Sequence, residues 1–307
     1  MAKTKNKKIV KNIIISIFII LYFLIYNFNN DAHKTVTSTI SVNPMEQKFS
    51  SSGEVTNTVY YIAADGTSSN GTDINKPMSL QQAKTKTYYA NDKILFKSGD
   101  IFYDSINFNM NLADGETVYI GSYGEGERPI ITTAKVLNNV EAWTKYGENV
   151  YRLDMSNNDY FTGMLSQDYN VGFFKDEHGN IYGMRKSDTA SLTTDGDFCC
   201  ENSYLYLYSR EEPSSKYGKI TLAVNVAVVK LKNGMRIENL TIQDTGGHGI
   251  NTSLQKLKDI HINNCIIQNI GGSVLKSDFT RYGNGIEFYG TDVENIVIKH
   301  NVIRNTY

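Results

Sequence analysis

The stretch Ser273-Val274-Leu275-Lys276-Ser277-Asp278-Phe279-Thr280-Arg281-Tyr282 puts two cations, a carboxylate and two aromatic rings close together. Lys276 or Arg281 can take an acidic proton from a sugar carbon beside a carboxylate, or neutralise that carboxylate as the proton leaves. A Ca2+ ion held by carboxylates is the other way to neutralise it. That chemistry is β-elimination at a uronic acid, with Asp278, Phe279 and Tyr282 as groups to contact the sugar. The same composition also suits a loop whose charges simply face water.

A second candidate is Thr245-Gly246-Gly247-His248-Gly249-Ile250, with Glu287 in the related segment Gly285-Ile286-Glu287. An imidazole beside a carboxylate is a possible proton carrier. Glycoside hydrolysis, however, needs two carboxyl groups, and no such pair stands upstream of His248. Asn284 takes the place of His248 in the later segment, so Gly-x-Gly-Ile also reads as a turn with a structural or surface histidine. Clusters of His and Cys at metal-ligand spacing, phosphate loops and Ser-His-Asp arrangements are absent. Apart from the Ca2+ alternative, no metal or cofactor is expected.

Both candidates lie in a repeating segment. MRIENLTIQDTGGHGI (235–250), IHINNCIIQNIGGSVL (260–275) and IVIKHNVIRNTY (296–307) align without gaps. Ile237, Ile262 and Ile298 share a column; so do Ile242, Ile267 and Ile303, and so do Asp244, Asn269 and Asn305. The steps are 25 and 36 residues, yet Gly249 to Ile260 and Gly285 to Ile296 are each 11. All the surplus lies between Gly272 and Gly283, as one loop on a constant unit, which marks a solenoid. Period-two runs of β-branched residues make the repeats strands. Strands returning after such an interval stack in parallel, about 4.8 Å apart. The short polar column sits at a turn, where Asp and Asn tolerate left-handed backbone and bond from coil to coil.

This pattern resembles the right-handed parallel β-helix superfamily of pectate, alginate and chondroitin lyases and polygalacturonases. The resemblance implies a substrate groove on the outer face of one sheet, walled by loops that leave the coils. Gly-His-Gly is similar to a polygalacturonase motif whose histidine supports aspartates in Asn-Thr-Asp and Asp-Asp pairs upstream; this chain lacks them. The order Tyr60-Tyr61-Ile62-Ala63-Ala64-Asp65-Gly66, Ser79-Leu80-Gln81-Gln82-Ala83, then Ile94-Leu95-Phe96-Lys97-Ser98-Gly99-Asp100 is similar to the start of many secreted β-helices, where a small helix plugs the first coil. Ser79 is its N-cap.

The rest of the chain fits that frame. With 307 residues, 40% apolar content, 24 Gly, 21 Tyr and only four Pro and one Trp, it suits an all-β protein with a sizeable core. Lys3, Lys5, Lys7, Lys8 and Lys11 precede the apolar run Ile13 to Phe28: a signal peptide or uncleaved membrane anchor over 1–28. Removing those five charges from the net −1 leaves −6, so no nucleic-acid partner is indicated. Residues 29–57 read as a disordered spacer, and 58–307 as the β-helix: cap and first coils to 136, a β-rich insertion over about 137–219, regular coils from Ile220. Within the insertion, Val150-Tyr151, Phe173-Phe174, the Glu177–Asn180 turn and Tyr204–Tyr208 suggest antiparallel hairpins, their tyrosines either stacking on sugar or packing the insertion onto the solenoid. Three cysteines form no disulfide framework. The chain stops in mid-coil at Tyr307, which suggests a fragment of a longer β-helix, poorly soluble or inactive alone. The whole predicts an exported or cell-surface monomer acting on a polysaccharide, by elimination ahead of hydrolysis. The alternative is a non-catalytic solenoid for adhesion or glycan binding.

Overall fold

A computed structural model describes residues 57–137, 140–161, 163–275 and 279–307. The segments read as signal or anchor and most of the spacer lie outside the described residues.

The coils are parallel and three-sided. The first sheet stacks Val59–Ile62, Lys93–Lys97, Val118–Tyr123, Met235–Glu238, Lys256–Asn263 and Asp292–Lys299; the second stacks Ile101–Phe102, Ile130–Thr132, Thr241–Thr245, Ile266–Ile270 and Val302–Thr306. A short third sheet runs through Ile106, Val229–Lys230, Ile250–Asn251 and Ile286. The repeat alignment is the register: Ile237 pairs with Ile262 and Ile262 with Ile298, Ile242 with Ile267 and Ile267 with Ile303. Ile237, Ile242, Ile262 and Ile267 are buried in one core with Phe96, Ile120 and Ile131. Each such side chain contributes about 1.5–3 kcal/mol by leaving water. Ile298 and Ile303, expected to be buried with them, are 44% and 48% exposed. They occupy the same inward columns, but no described strand stacks over their coil.

Polar residues in left-handed backbone bend the coils: Asn239 and Asn264 lie between strands, whereas Asp244, Asn269 and Asn305 lie inside strands of the second sheet, not at the turn that the sequence suggests. Asp244, Asn269 and Asn305 have φ of 58°, 55° and 53°. Their side chains form a ladder along the axis: Asn305 Nδ2 donates to Asn269 Oδ1 (3.1 Å), and Asn269 Nδ2 to Asp244 Oδ1 (2.9 Å). Lys175 Nζ, from the insertion, ends it at 2.5 Å from Asp244 Oδ1. A second ladder ends similarly, with Arg128 donating to Asn239 (3.0 Å) and Asn264 (2.9 Å). An amide suits such a column because it can donate to one coil while accepting from the next.

The helix Leu80–Lys84 covers the first coil with Leu80 and Ala83. Ser79 caps it, and the Ser79 amide donates in turn to Gln82 Oε1 (2.8 Å). The insertion is antiparallel as expected. One of its sheets joins Trp143–Gly147, Val150–Asp154, Tyr204–Tyr208 and Phe198–Glu201; the other joins Lys135–Val136, Thr221–Ala223, Phe173–Lys175 and Ile181–Tyr182. Thr221–Ala223 therefore belongs to the insertion, and the parallel coils resume at Val229, later than the sequence suggests. The insertion has its own core around Leu153, Phe174, Phe198 and Leu222. Its tyrosine face packs within the insertion: Tyr206 is buried with Leu192 and Cys199 and Arg152 lies 4.9 Å over Tyr204, while Tyr146 at its edge is 52% exposed. The three cysteines are free thiols.

The ladder generates a direct test. Asn269→Val places a β-branched residue at φ 55° and leaves Asp244 and Asn305 without their shared partner. It should cost about 2–4 kcal/mol in denaturant unfolding, against about 1–2 for Asn269→Gly. Equal small losses would show that the ladder contributes little.

Candidate functional site

The coils share one corner, between the second and third sheets, where all the large departures from the repeat occur. In the first full coil it is Tyr103-Asp104-Ser105; in the next, the whole insertion leaves Thr132 and returns before Val229. In the third it is Gly246-Gly247-His248-Gly249, and in the fourth the loop from Gly271 to Gly285. Ile106, Val229, Ile250 and Ile286 are in register, so Asp104, Ala227, His248 and Asn284 occupy one line along the axis. Loops distant in sequence meet here because the solenoid stacks their points of departure.

The insertion is seated by backbone on backbone. Gly172 fits where a Cβ would collide with the Gly271 carbonyl and approach Gly246 Cα to 2.8 Å. Gly271 and Gly283 have φ of 95° and 121° and touch one another at the same junction. Arg281 clamps it: Nε donates to Gly272 O (3.0 Å), Nη1 to Gly183 O (2.9 Å) and Nη2 to Gly172 O (2.9 Å). Its guanidinium also lies 5.3 Å over the Tyr307 ring. Burial, and then the nearby Arg185, pulls its pKa down. These bonds occupy the guanidinium that the sequence assigned to sugar chemistry and make Arg281 a structural clamp. Lys276 and Asp278 lie outside the described residues. Phe279, 37% exposed, sits at φ 58° on the rim.

Three cavities line up along this corner. The first, about 480 Å3, is lined by Gln81, Asp104, Lys135, Leu165, Gln167 and Asp168 among others. The second, about 280 Å3, includes Gln167, Asn225, Lys230, His248, Asn251 and Tyr282. The third, about 720 Å3, includes Gln167, Asn170, Arg185, Asn225, Leu275 and Tyr282. Gln167 is common to all three and is exposed. They therefore lie side by side along the corner, with the stacked coils as floor and the insertion as wall.

In the middle cavity, His248 Nδ1 lies 2.6 Å from Glu287 Oε2, and Asn284 Nδ2 donates to the same oxygen (2.8 Å). The Asn284 amide is also 3.1 Å from Nδ1, a second donor at that nitrogen. The carboxylate contact governs, because a charge-assisted bond is roughly twice as strong as a neutral one. Nδ1 then carries the proton and Nε2 holds a lone pair. Burial pulls the His248 pKa down, and Glu287 only partly offsets this, so the ring is neutral at pH 7 and able to accept a proton. Tyr282 lies 5.5 Å from it, centroid to centroid, and donates its hydroxyl proton to Asn225 Oδ1. In the widest cavity, Arg185 Nη1 donates to Val171 O (2.7 Å) and to Asn170 Oδ1. Asn170 is itself fixed by Val274, donating to its carbonyl (2.8 Å) and accepting from its amide (3.1 Å).

The first cavity holds two carboxyl groups in unlike surroundings. Asp104 accepts from Lys84 Nζ (2.5 Å), Gln81 Nε2 (2.7 Å) and the Ser105 amide (2.6 Å), so the capping helix orients it. Asp168, in the 3-10 turn Ser166–Tyr169, is 3% exposed. Its Oδ2 accepts from the Leu165 amide (3.3 Å), while Oδ1 is buried without a partner. Burial raises its pKa against the weaker opposing effects of that bond and of Lys135.

The structure thus brings His248, Glu287 and Tyr282 together and sets Arg281 aside. Sequence reasoning missed Asp104, Gln167, Asp168, Asn225 and Lys230. Asp104 had a usable signal, standing two residues before Ile106 as His248 stands two before Ile250. Asp168 and Gln167, within an aperiodic insertion, had none. No group of three or more metal-binding side chains occurs among the described residues.

If Arg281 is a clamp, Arg281→Lys should lower stability by about 2–4 kcal/mol, since one ammonium cannot span three carbonyls. Urea unfolding checks this; unchanged stability would free the residue for another role.

No protein-family model matches the chain, and no curated protein does. Among solved structures it is similar to XylC in complex with xylose, with a TM-score of 0.52 at 11% identity, covering 69% of this chain and 40% of that one. It is also similar to the GH136 lacto-N-biosidase from Eubacterium ramulus, with a TM-score of 0.44 at 16% identity, covering 81% and 34%. The chain spans well under half the length of either protein. The XylC likeness establishes a shared fold, the parallel β-helix.

Proposed function

We propose that this chain is an exported carbohydrate-active protein that holds a polysaccharide in the corner groove and cleaves it. The observation that carries this reading is the row of three cavities along the corner, each bordered by Gln167 and together lined by amides, tyrosines and ionisable groups. Sugar hydroxyls need paired donors and acceptors, which amides supply, and sugar rings need flat apolar surfaces, which tyrosines supply. The fold it shares with a protein solved with xylose agrees with this. Export rests on the lysine-flanked apolar run at Ile13 to Phe28.

Of elimination and hydrolysis, β-elimination is favoured by one observation. His248, with Nδ1 on Glu287, shares a cavity with Lys230 and Tyr282. There the imidazole would take the proton, Lys230 would neutralise the sugar carboxylate, and the Tyr282 hydroxyl would protonate the leaving oxygen. The product separates the two: an unsaturated, ultraviolet-absorbing sugar from elimination, saturated reducing ends from hydrolysis.

Both versions predict that Gln167→Ala weakens oligosaccharide binding about tenfold, the loss of one or two hydrogen bonds, with the melting temperature unchanged. Calorimetry on the full chain checks this. Unaltered affinity would move the binding surface elsewhere, and no binding to any polysaccharide tested would end the reading.

A further inference from the structure

We propose that the widest cavity of the corner is a subsite for an anionic group on the saccharide, a carboxylate or a sulfate ester, received by the Arg185 guanidinium. The proposal rests on the reading that this corner takes saccharide. It deepens that reading by naming the class of glycan, acidic rather than neutral, and a residue that selects it.

Arg185 is partly buried and lines this cavity of about 720 Å3. Its Nη1 is spent on the Val171 carbonyl (2.7 Å) and on Asn170 Oδ1. Asn170 is itself held at both ends by Val274, through its carbonyl and its amide. The guanidinium is therefore aimed before any ligand arrives. Its Nη2 donates to no described residue and, unlike Nε, is not enclosed by protein. One edge of a fixed cation thus remains for an acceptor from the cavity.

No carboxylate answers this charge. Arg185 forms no ion pair among the described residues, and Glu201, the one acid among those that line the cavity, is exposed to solvent. A second guanidinium stands nearby: burial, and then the Arg185 charge, pulls the Arg281 pKa down. The donors of Arg281 go to three carbonyls, which carry no net charge. Cations drawn partly out of water are normally paired. Here the pairing is left to whatever enters the cavity, and a planar guanidinium edge matches the oxygens of a carboxylate or a sulfate.

The neighbouring groups suit the rest of a sugar. Gln167, Asn225, Tyr169 and Tyr282 line the same cavity and offer amides to hydroxyls and rings to sugar faces. Tyr282 and Asn225 border the middle cavity as well, so a sugar at Arg185 adjoins one placed at His248 and Lys230. Lys230 is likewise exposed and without an ion pair among the described residues. Two unanswered cations in adjoining cavities fit a glycan that carries charge on more than one of its sugars.

The test is calorimetry on the full chain with matched oligosaccharides: oligomers of glucuronate, galacturonate and mannuronate, their carboxyl-reduced neutral counterparts, and a neutral galactan oligomer with and without sulfate esters. The wild type should bind at least one acidic member about ten- to a hundredfold more tightly than its neutral counterpart, the worth of a hydrogen bond to a charged group. Uronate against sulfate ester then tells which oxyanion the subsite takes. Arg185→Gln should abolish the preference and leave neutral affinity within about threefold. Because Arg185 also holds Asn170, a second variant leaves that contact intact. Asn202→Asp, near-isosteric and on the same cavity, should weaken the acidic ligand about threefold by repulsion and leave the neutral one unchanged. A preference that survives Arg185→Gln in a folded chain, or, should that variant not fold, one that Asn202→Asp leaves intact, would overturn the assignment. A wild type that binds neutral and acidic oligomers equally refutes the subsite alone, whereas one that binds no saccharide refutes the broader reading with it.

Discussion

The Arg281 guanidinium, bonded to the carbonyls of Gly172, Gly183 and Gly272, is the contact on which the site depends. Two of its acceptors belong to the insertion and one to the loop of a coil, so it fixes an antiparallel subdomain against a parallel stack. Glycines at 172, 246, 271 and 283 are the steric condition for this contact, since no side chain fits between those backbones. With the insertion seated, Gln167, Asp168 and Asn170 stand opposite Asp104, His248 and Tyr282. Without it, the corner would be an open edge of turns. One polar ladder serves the same end from below. Lys175, from the insertion, terminates the Asp244–Asn269–Asn305 column, tying the wall to the axis of the floor.

The solenoid was legible in the sequence because its physics is periodic. A column of Ile at constant spacing points to stacked parallel strands, and Asp or Asn at a fixed place in each repeat points to left-handed backbone with a polar ladder along the axis. Both follow from local rules repeated three times. The capping box at Ser79 and Gln82 and the antiparallel character of the insertion were legible for the same reason, being set by neighbours in the chain. Burial of Ile298 and Ile303 was not, because exposure depends on what lies over a coil and not on the residue's own column.

The site was legible only in part. His248, Glu287 and Tyr282 lie within the repeat, and a comparison of coils drew attention to them. Arg281 also stood out, but charge alone could not tell a catalytic cation from one bonded to backbone; the distinction rests on three carbonyls that approach from distant segments. Asp104 and Asp168 are 64 residues apart in the sequence and line one cavity because the first full coil and the insertion share a corner. Their unlike settings arise from tertiary contacts: Lys84 and Gln81 for one, burial without a partner for the other. A lone Asp in an aperiodic stretch carries no trace of either.

The central claim is that the corner between the second and third sheets, walled by the insertion, is where saccharide binds. A crystal structure of the chain soaked with an oligosaccharide it recognises tests this most directly. The account predicts sugar rings lying along the groove from Asp104 to Tyr282, in contact with Gln167. Sugar on the outer face of the first sheet, beside Tyr119, Arg236 and His261, or on the tyrosine face of the insertion, with the groove empty, would contradict it.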